Sequence, residues 1–551
     1  MQMIDRDIAK SSALVIDANP TSRGMLVSQL RDFGVGQVMQ SSKIHDARKL
    51  LESRPFDIVM CEQDFEAEGY SGQNLLDDLR RLQLLPLSTA FVIVTGTAST
   101  TTVVDAAESA VDTYLVKPYT AAAMRERLMQ VRKRKMALAD IFAPVESGDF
   151  AAAARLCLKR FKERAPFHAY AARLGCELLL RIGEPEAARK LNELVLEGTP
   201  NVPWARLGIA RAQIDSGQTS AAVRTLEALV AEQPNYTDAF DVLGRLQVEQ
   251  GDLNSAIATY QRAAEFTRGS IERLQRHGLV AFHAGDREEA LKPLERAALL
   301  GQGSRMFDPG VLVALASLRY ELRDSRGLQR ALDTLADAAE RDPGDERLGR
   351  LSRCAALYGL SYHKQQAALE AGLKAAFRSV EHPTFDAEAA CYLLSLCATL
   401  AAGGETLPAG TDEGIDLLAQ RFASSRAMTE LLAGVAGVHL PLSVRVRQAQ
   451  AAVATMAEQA VTQTLKGNPT LAVRALLQQA RHTRNAKLID LARMTLQRHA
   501  ERIEDVAALS LEVDMLRAVA AAGAVPPLGS ASTRASGALA TRGAPSPVGT
   551  A

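Results

Sequence analysis

Four side chains able to carry charge or a hydroxyl hold equivalent places in the first part of this 551-residue chain: Asp17, Glu62, Thr95 and Lys117. Each stands at the end of a short apolar run: Ala13-Leu14-Val15-Ile16, Asp57–Cys61, Phe91–Thr95 and Thr113–Val116. Two carboxylates, a hydroxyl and an ammonium brought together would pair charges or hold a small ion. The sequence has no Walker loop, dinucleotide fingerprint, nucleophile elbow, or kinase, cyclase or phosphodiesterase signature, so a non-enzymatic protein is expected.

These runs belong to an alternation. A further run lies around Val38, and helical patterns follow the five runs, first after Asn19-Pro20-Thr21 and then at 43–53, 71–84, 99–109 and 120–134. Five short strands each followed by a helix predict a doubly wound α/β fold with a parallel five-stranded sheet. Functional residues of such sheets gather at the carboxyl ends of the strands, where the four side chains stand.

The motifs ALVIDANPTSR, PFDIVMCE, FVIVTG and DTYLVKPY together resemble the response-regulator receiver family (flavodoxin-like fold) over residues 12–135. The resemblance makes Asp17 part of an acidic pocket and Glu62 the counterpart of the phosphorylated aspartate. It makes Thr95, Tyr114 and Lys117 the residues that contact the phosphoryl group and relay the switch, and it implies a cis bond before Pro118. Two departures stand out. The second of the family's adjacent carboxylates is Ala18, which leaves Asp17 alone to bind Mg²⁺, and the acceptor position holds a glutamate, one methylene longer. Phosphoryl transfer needs Mg²⁺ and an in-line nucleophile, and both are compromised. Glu62 places a permanent negative charge opposite Lys117, so one reading is constitutive imitation of the phosphorylated state. The other is a receiver kept only for docking. Counting along the strand favours Glu62 as the acceptor equivalent, whereas counting back from Gly72 favours Asp64.

Behind this region a repeat of about 34 residues is visible. Gly148, Gly183, Gly217, Gly251 and Gly285 each have an alanine five residues on: Ala153, Ala188, Ala222, Ala256 and Ala290. A glycine ends one helix, a polar residue opens the next, and the alanine lets the pair approach closely. Residues 237–270, with Leu243-Gly244, Gly251-Asp252, Ala256, Tyr260 and Ala263, resemble the tetratricopeptide repeat family, which implies an all-α solenoid that holds protein segments on its concave face. The expected organisation is an extension (1–11), the receiver-like domain (12–135), the repeat array (136–302), degenerate helical repeats (303–520) interrupted near 401–414, and a disordered Ala/Gly/Pro/Ser-rich tail (521–551).

Lys+Arg and Asp+Glu are equal at 64 each, which gives no field to draw nucleic acid or an anionic membrane. The basic run Arg125–Lys135 lacks aromatic neighbours and reads as a solvated face or an interdomain contact. His277 and His283 are six apart and do not form a metal pair, and six scattered cysteines read as free thiols. The apolar stretch Leu431–Val444 is too short to span a bilayer. The expectation is a cytoplasmic signalling adaptor of phosphorelay type, its partners being proteins held by the repeats and a histidine kinase or phosphotransfer protein. The competing class is a repeat scaffold in which the receiver fold is only structural.

Overall fold

The computed structural model describes residues 8–65, 70–81, 85–96, 112–234, 236–266, 270–301 and 307–520. The helix expected at 99–109 and the tail from 521 lie outside the described residues. Within them, residues 8–243, 266 and 270 belong to one compact unit, and residues 244–265 with 271–520 to a second. The boundary falls inside a helix, so the repeat array contributes to both.

The first unit opens with a short 3-10 turn, Ile8–Lys10, and then alternates strand and helix: β1 (Ser12–Ile16), α1 (Pro20–Asp32), β2 (Gln37–Ser41), α2 (Ile44–Ser53) and β3 (Ile58–Glu62). A two-residue hairpin follows, β4 (Asp64–Phe65) with β5 (Tyr70–Ser71), then α3 (Gly72–Arg81), β6 (Ala90–Thr95), β7 (Thr113–Val116) and α4 (Ala121–Ala137). The five long strands form one parallel sheet in the order β2-β1-β3-β6-β7. Every residue of β6 is buried, as a central parallel strand covered on both faces requires. The helix expected to reach 84 is described only to Arg81.

Asn19 starts α1 by accepting hydrogen bonds from the Thr21 and Ser22 amides, and Pro20 fits the first helical position because no donor is needed there. This cap turns the chain sharply just after Asp17 and holds that carboxylate at the rim of the sheet.

Helical hairpins follow: α5 (Ala139–Glu146) with α6 (Phe150–Lys162), α7 (His168–Arg181) with α8 (Pro185–Gly198), α9 (Pro203–Asp215) with α10 (Thr219–Glu232), and α11 (Thr237–Gln250) with α12 (Leu253–Phe266). Then come α13 (Ile271–Ala284) and α14 (Arg287–Leu300). Gly148, Gly183, Gly217, Gly251 and Gly285 take φ of +84°, +79°, +73°, +76° and +88°, a left-handed conformation that side-chain-bearing residues avoid. The alanines five residues on are fully buried. Asp149, Asp252 and Asp286 each accept a backbone N–H of the helix that follows.

Helix pairs continue with α15 (Gly310–Glu321), α16 (Ser325–Arg341), α17 (Glu346–Tyr362), α18 (Gln366–Ser379), α19 (Ala387–Ala402), α20 (Thr411–Phe422), α21 (Arg426–Val435), α22 (Leu440–Leu465), α23 (Pro469–Thr483), α24 (Ala486–Arg498) and α25 (Val506–Ala520). The break expected at 401–414 is shorter, because α19 runs to Ala402 and α20 begins at Thr411. Among the described residues no helix is long and apolar enough to cross a membrane.

The second unit departs from an open solenoid. Its inner helices α13, α15, α17, α19 and α21 pack in sequence, and α21 returns against α13. The contact is backbone to backbone: a Cβ on Gly434 would overlap the His283 carbonyl oxygen. Twelve of the sixteen residues of α19 are buried. In this unit α13 packs against α21 and α15 against α19, so much of the surface of these repeat helices is covered by the chain's own later helices.

Candidate functional site

The sheet brings Asp17, Glu62 and Lys117 together at the carboxyl ends of β1, β3 and β7. The Lys117 ammonium donates to Glu62 Oε2 and lies 3.3 Å from Asp17 Oδ2. Asp17 is 1% exposed. Its Oδ2 also accepts from Ser22 Oγ at 2.6 Å, and its Oδ1 accepts from the Asn19 amide at 2.8 Å. Glu62 Oε1 accepts from the Gln63 amide at 3.0 Å. Burial pulls the Lys117 ammonium down, but the hydrogen bond and charge of Glu62, and then Asp17, outweigh it and hold the group above its ordinary value. The Cys61 thiol is pushed well up, first by burial and then by the charges of Glu62 and Asp17.

Thr95 is fully buried at the end of β6, and its carbonyl accepts the Lys117 amide at 2.8 Å. Tyr114 is 6% exposed; its hydroxyl donates to Gln73 Oε1 at 3.0 Å and its carbonyl accepts from Arg127. The residue is thus anchored at both ends. The Lys117–Pro118 peptide bond is cis. Asp64, the alternative acceptor, is exposed on β4, and the carboxylate bonded to Lys117 is that of Glu62.

The residues present do not fit Mg²⁺. Position 18 supplies a methyl group, and all four oxygens of Asp17 and Glu62 already accept hydrogen bonds. Lys117 itself stands between the two carboxylates as their counter-charge. Arg23 adds a second cation beside them, donating to the carbonyl oxygens of Asp17 at 2.7 Å and Ala18 at 3.4 Å. A metal that requires near-octahedral oxygen coordination would have to displace these donors.

Ser22, Arg23 and Asn19 are site residues that strand-end reasoning missed. They lie on the turn and first helical turn after β1, and only the tight cap at Asn19 could have pointed to them.

In the repeats, Ala222, Ala256 and Ala290 are buried packing positions and Gly251 and Gly285 lie against α21, whereas Gly217, expected to be one too, is an exposed turn with open space around it. A Cβ on the neighbouring Gly244 would meet the Tyr260 ring at 2.7 Å, which is how closely α11 and α12 approach. A cleft on α7, α8 and α9 is lined by Arg173, Glu177, Asn192, Trp204 and Arg211. His277 lies 2.9 Å from Glu289, and His283 packs against Phe282 and Tyr392. All six cysteines are free.

A parallel sheet with a lysine, two carboxylates and a hydroxyl at its carboxyl edge, followed by 34-residue helical hairpins, defines a receiver fused to a helical repeat array. Residues 13–129 match the response regulator receiver domain and residues 179–246 the tetratricopeptide repeat. The chain belongs to the response-regulator receiver family through its first domain and carries tetratricopeptide repeats behind it. Over 124 residues it is 30% identical to chemotaxis protein CheY-3 of Vibrio cholerae serotype O1, covering 22% of this chain and 91% of that protein. The chemotaxis protein CheY of Pseudomonas aeruginosa is likewise 30% identical over 124 residues, covering 22% of this chain and 95% of that one. Among solved structures, a thermophilic tetratricopeptide-repeat protein of Thermus thermophilus is 28% identical, covers 32% of this chain and 94% of its own, and has a TM-score of 0.24.

Proposed function

We propose that this chain is a non-enzymatic, cytoplasmic signalling adaptor of two-component type whose receiver pocket is held in one state without phosphorylation. The observation that carries the reading is the ion pair between Lys117 and Glu62, in which the glutamate holds its carboxylate one methylene further out than an aspartate would, toward the place of a phosphoryl group. The cation requirement is met internally by Lys117 and Arg23, so the resting pocket is already charge-compensated. Thr95 and Tyr114, buried and anchored, then hold the adjoining surface in one arrangement. Output is protein binding through the repeats, with a histidine kinase or phosphotransfer protein as a candidate upstream contact.

The test is chemical. Incubation of the full chain with acetyl phosphate and Mg²⁺ should leave the intact mass unchanged. A one-phosphoryl adduct on Glu62 or Asp64 would overturn the proposal.

A further inference from the structure

At the opposite end of the sheet from the pocket, a buried charge cluster joins the receiver to the first helical hairpins. Asp112, the residue before β7, is 3% exposed in its side chain and ion-pairs with Lys135 Nζ at 2.9 Å and Arg134 Nη2 at 2.7 Å. Its other carboxylate oxygen accepts the Phe91 amide at 2.9 Å and so ties the start of β7 to the start of β6. Lys135, 6% exposed, donates to the Leu87 carbonyl at 2.7 Å. The Leu87 amide in turn donates to Glu146 Oε1 of α5 at 3.0 Å, and the Leu87 side chain packs against the core of the α5–α8 hairpins. The Arg134 guanidinium lies 5.1 Å over the Tyr170 ring of α7, and the Lys135 ammonium 5.6 Å from the Phe142 ring of α5. Arg80 Nη1 holds the same loop from the receiver side, donating to the Leu85 and Pro86 carbonyls.

We infer that this cluster is an interdomain lock that makes the receiver and the hairpins α5–α8 a single cooperative body. Three features support it. The elements meet in one compact unit, as independent domains on a flexible linker would not. The linker is only Leu138, whose buried side chain joins the hairpin core. One buried carboxylate faces three cations: burial works against the Asp112 carboxylate, yet Lys135, Arg80 and Arg134 together keep it below its ordinary value. Burial lowers Lys135 to about 8, which leaves it mostly charged at neutral pH. Such a set is costly to separate, since parting one partner strands a buried charge. The lock positions the first repeats whatever the charge state of the pocket, so it stands under either reading of Glu62.

The test is hydrogen exchange resolved by peptide on the full chain, with a denaturant series. In the parent, the slowest amides of β6 and β7 and those of α6 and α7 should share one opening transition with one denaturant dependence. In Lys135→Met the two groups should separate, the receiver strands exchanging on the order of a hundredfold faster than α6 and α7. Glu146→Ala, at an exposed position that cannot by itself unfold the chain, should produce a smaller separation of the same sense. Two distinct openings in the parent, or a single shared opening in both variants, would overturn the lock.

Discussion

Lys117 and Glu62 form a direct ion pair across the carboxyl edge of the sheet, from the end of β7 to the end of β3. The Glu62 side chain is 12% exposed and that of Lys117 30%, and Asp17 shares the same ammonium at 3.3 Å. The pair makes the pocket self-sufficient, and its consequences can be measured.

Restoring phosphoryl chemistry should take two changes. Glu62→Asp alone shortens the side chain but leaves position 18 without a carboxylate, so acetyl phosphate should still give little adduct. Ala18→Asp with Glu62→Asp supplies both a correctly placed nucleophile and a second metal-binding carboxylate. Intact-mass measurement should then show one phosphoryl group, located on residue 62. Failure of the double variant would mean that Arg23 and Ser22 hold the pocket closed to the metal.

Ala256 is fully buried where α11 and α12 meet. Ala256→Arg would force a charged side chain into that contact at a cost of roughly 3 kcal/mol or more. Because each hairpin is stable through its neighbours, amides of α13 and α14 should also lose protection. Unchanged melting would refute the packing assigned to this position.

Gly434 faces the His283 carbonyl so closely that even a methyl group has no room. Gly434→Ala should therefore push α21 from α13 and cost about 1–3 kcal/mol. Thermal unfolding would read the loss, and faster exchange in α19 and α21 would show where it arises. A variant as stable as the parent would mean that this closure is not a tight contact.

His283 links the second unit to pH. Burial, and then the positive charge of Arg287, lower its imidazolium from 6.5 to about 3. The unfolded chain takes up this proton near pH 6.5, whereas the folded chain resists it until about pH 3. Stability from this group is therefore fully present above pH 6.5 and lost as pH falls toward 3, by up to roughly 5 kcal/mol. Denaturant unfolding of parent and His283→Gln across that range should show a shallower acid slope in the variant. Equal slopes would contradict the buried, neutral assignment.

Much of this was legible because it depends on local rules. The 34-residue repeat showed itself through Gly148 to Gly285, each needed for a left-handed turn, and the strand ends marked Asp17, Glu62, Thr95 and Lys117. What escaped was non-local. Nothing near Gly434 announces its contact with Gly285 and His283, far earlier in the chain. Ser22 and Arg23 reach the pocket only because α1 turns sharply after Asn19. Lys135 closes a basic run that suits a solvated face equally well; its burial depends on Asp112 and Leu87, which come together only when the sheet meets the repeats.

The central claim is that Glu62 holds the switch surface without phosphate. The most direct measurement is amide exchange of residues 90–96 and 112–120 in the full chain, comparing the parent with Glu62→Gln, which removes the charge and keeps the size. The account predicts that the variant exchanges at least about tenfold faster there, as expected if a charge-assisted bond worth roughly 1.5–3 kcal/mol is lost. Exchange in these segments indistinguishable from the parent would show that the ion pair holds nothing in place.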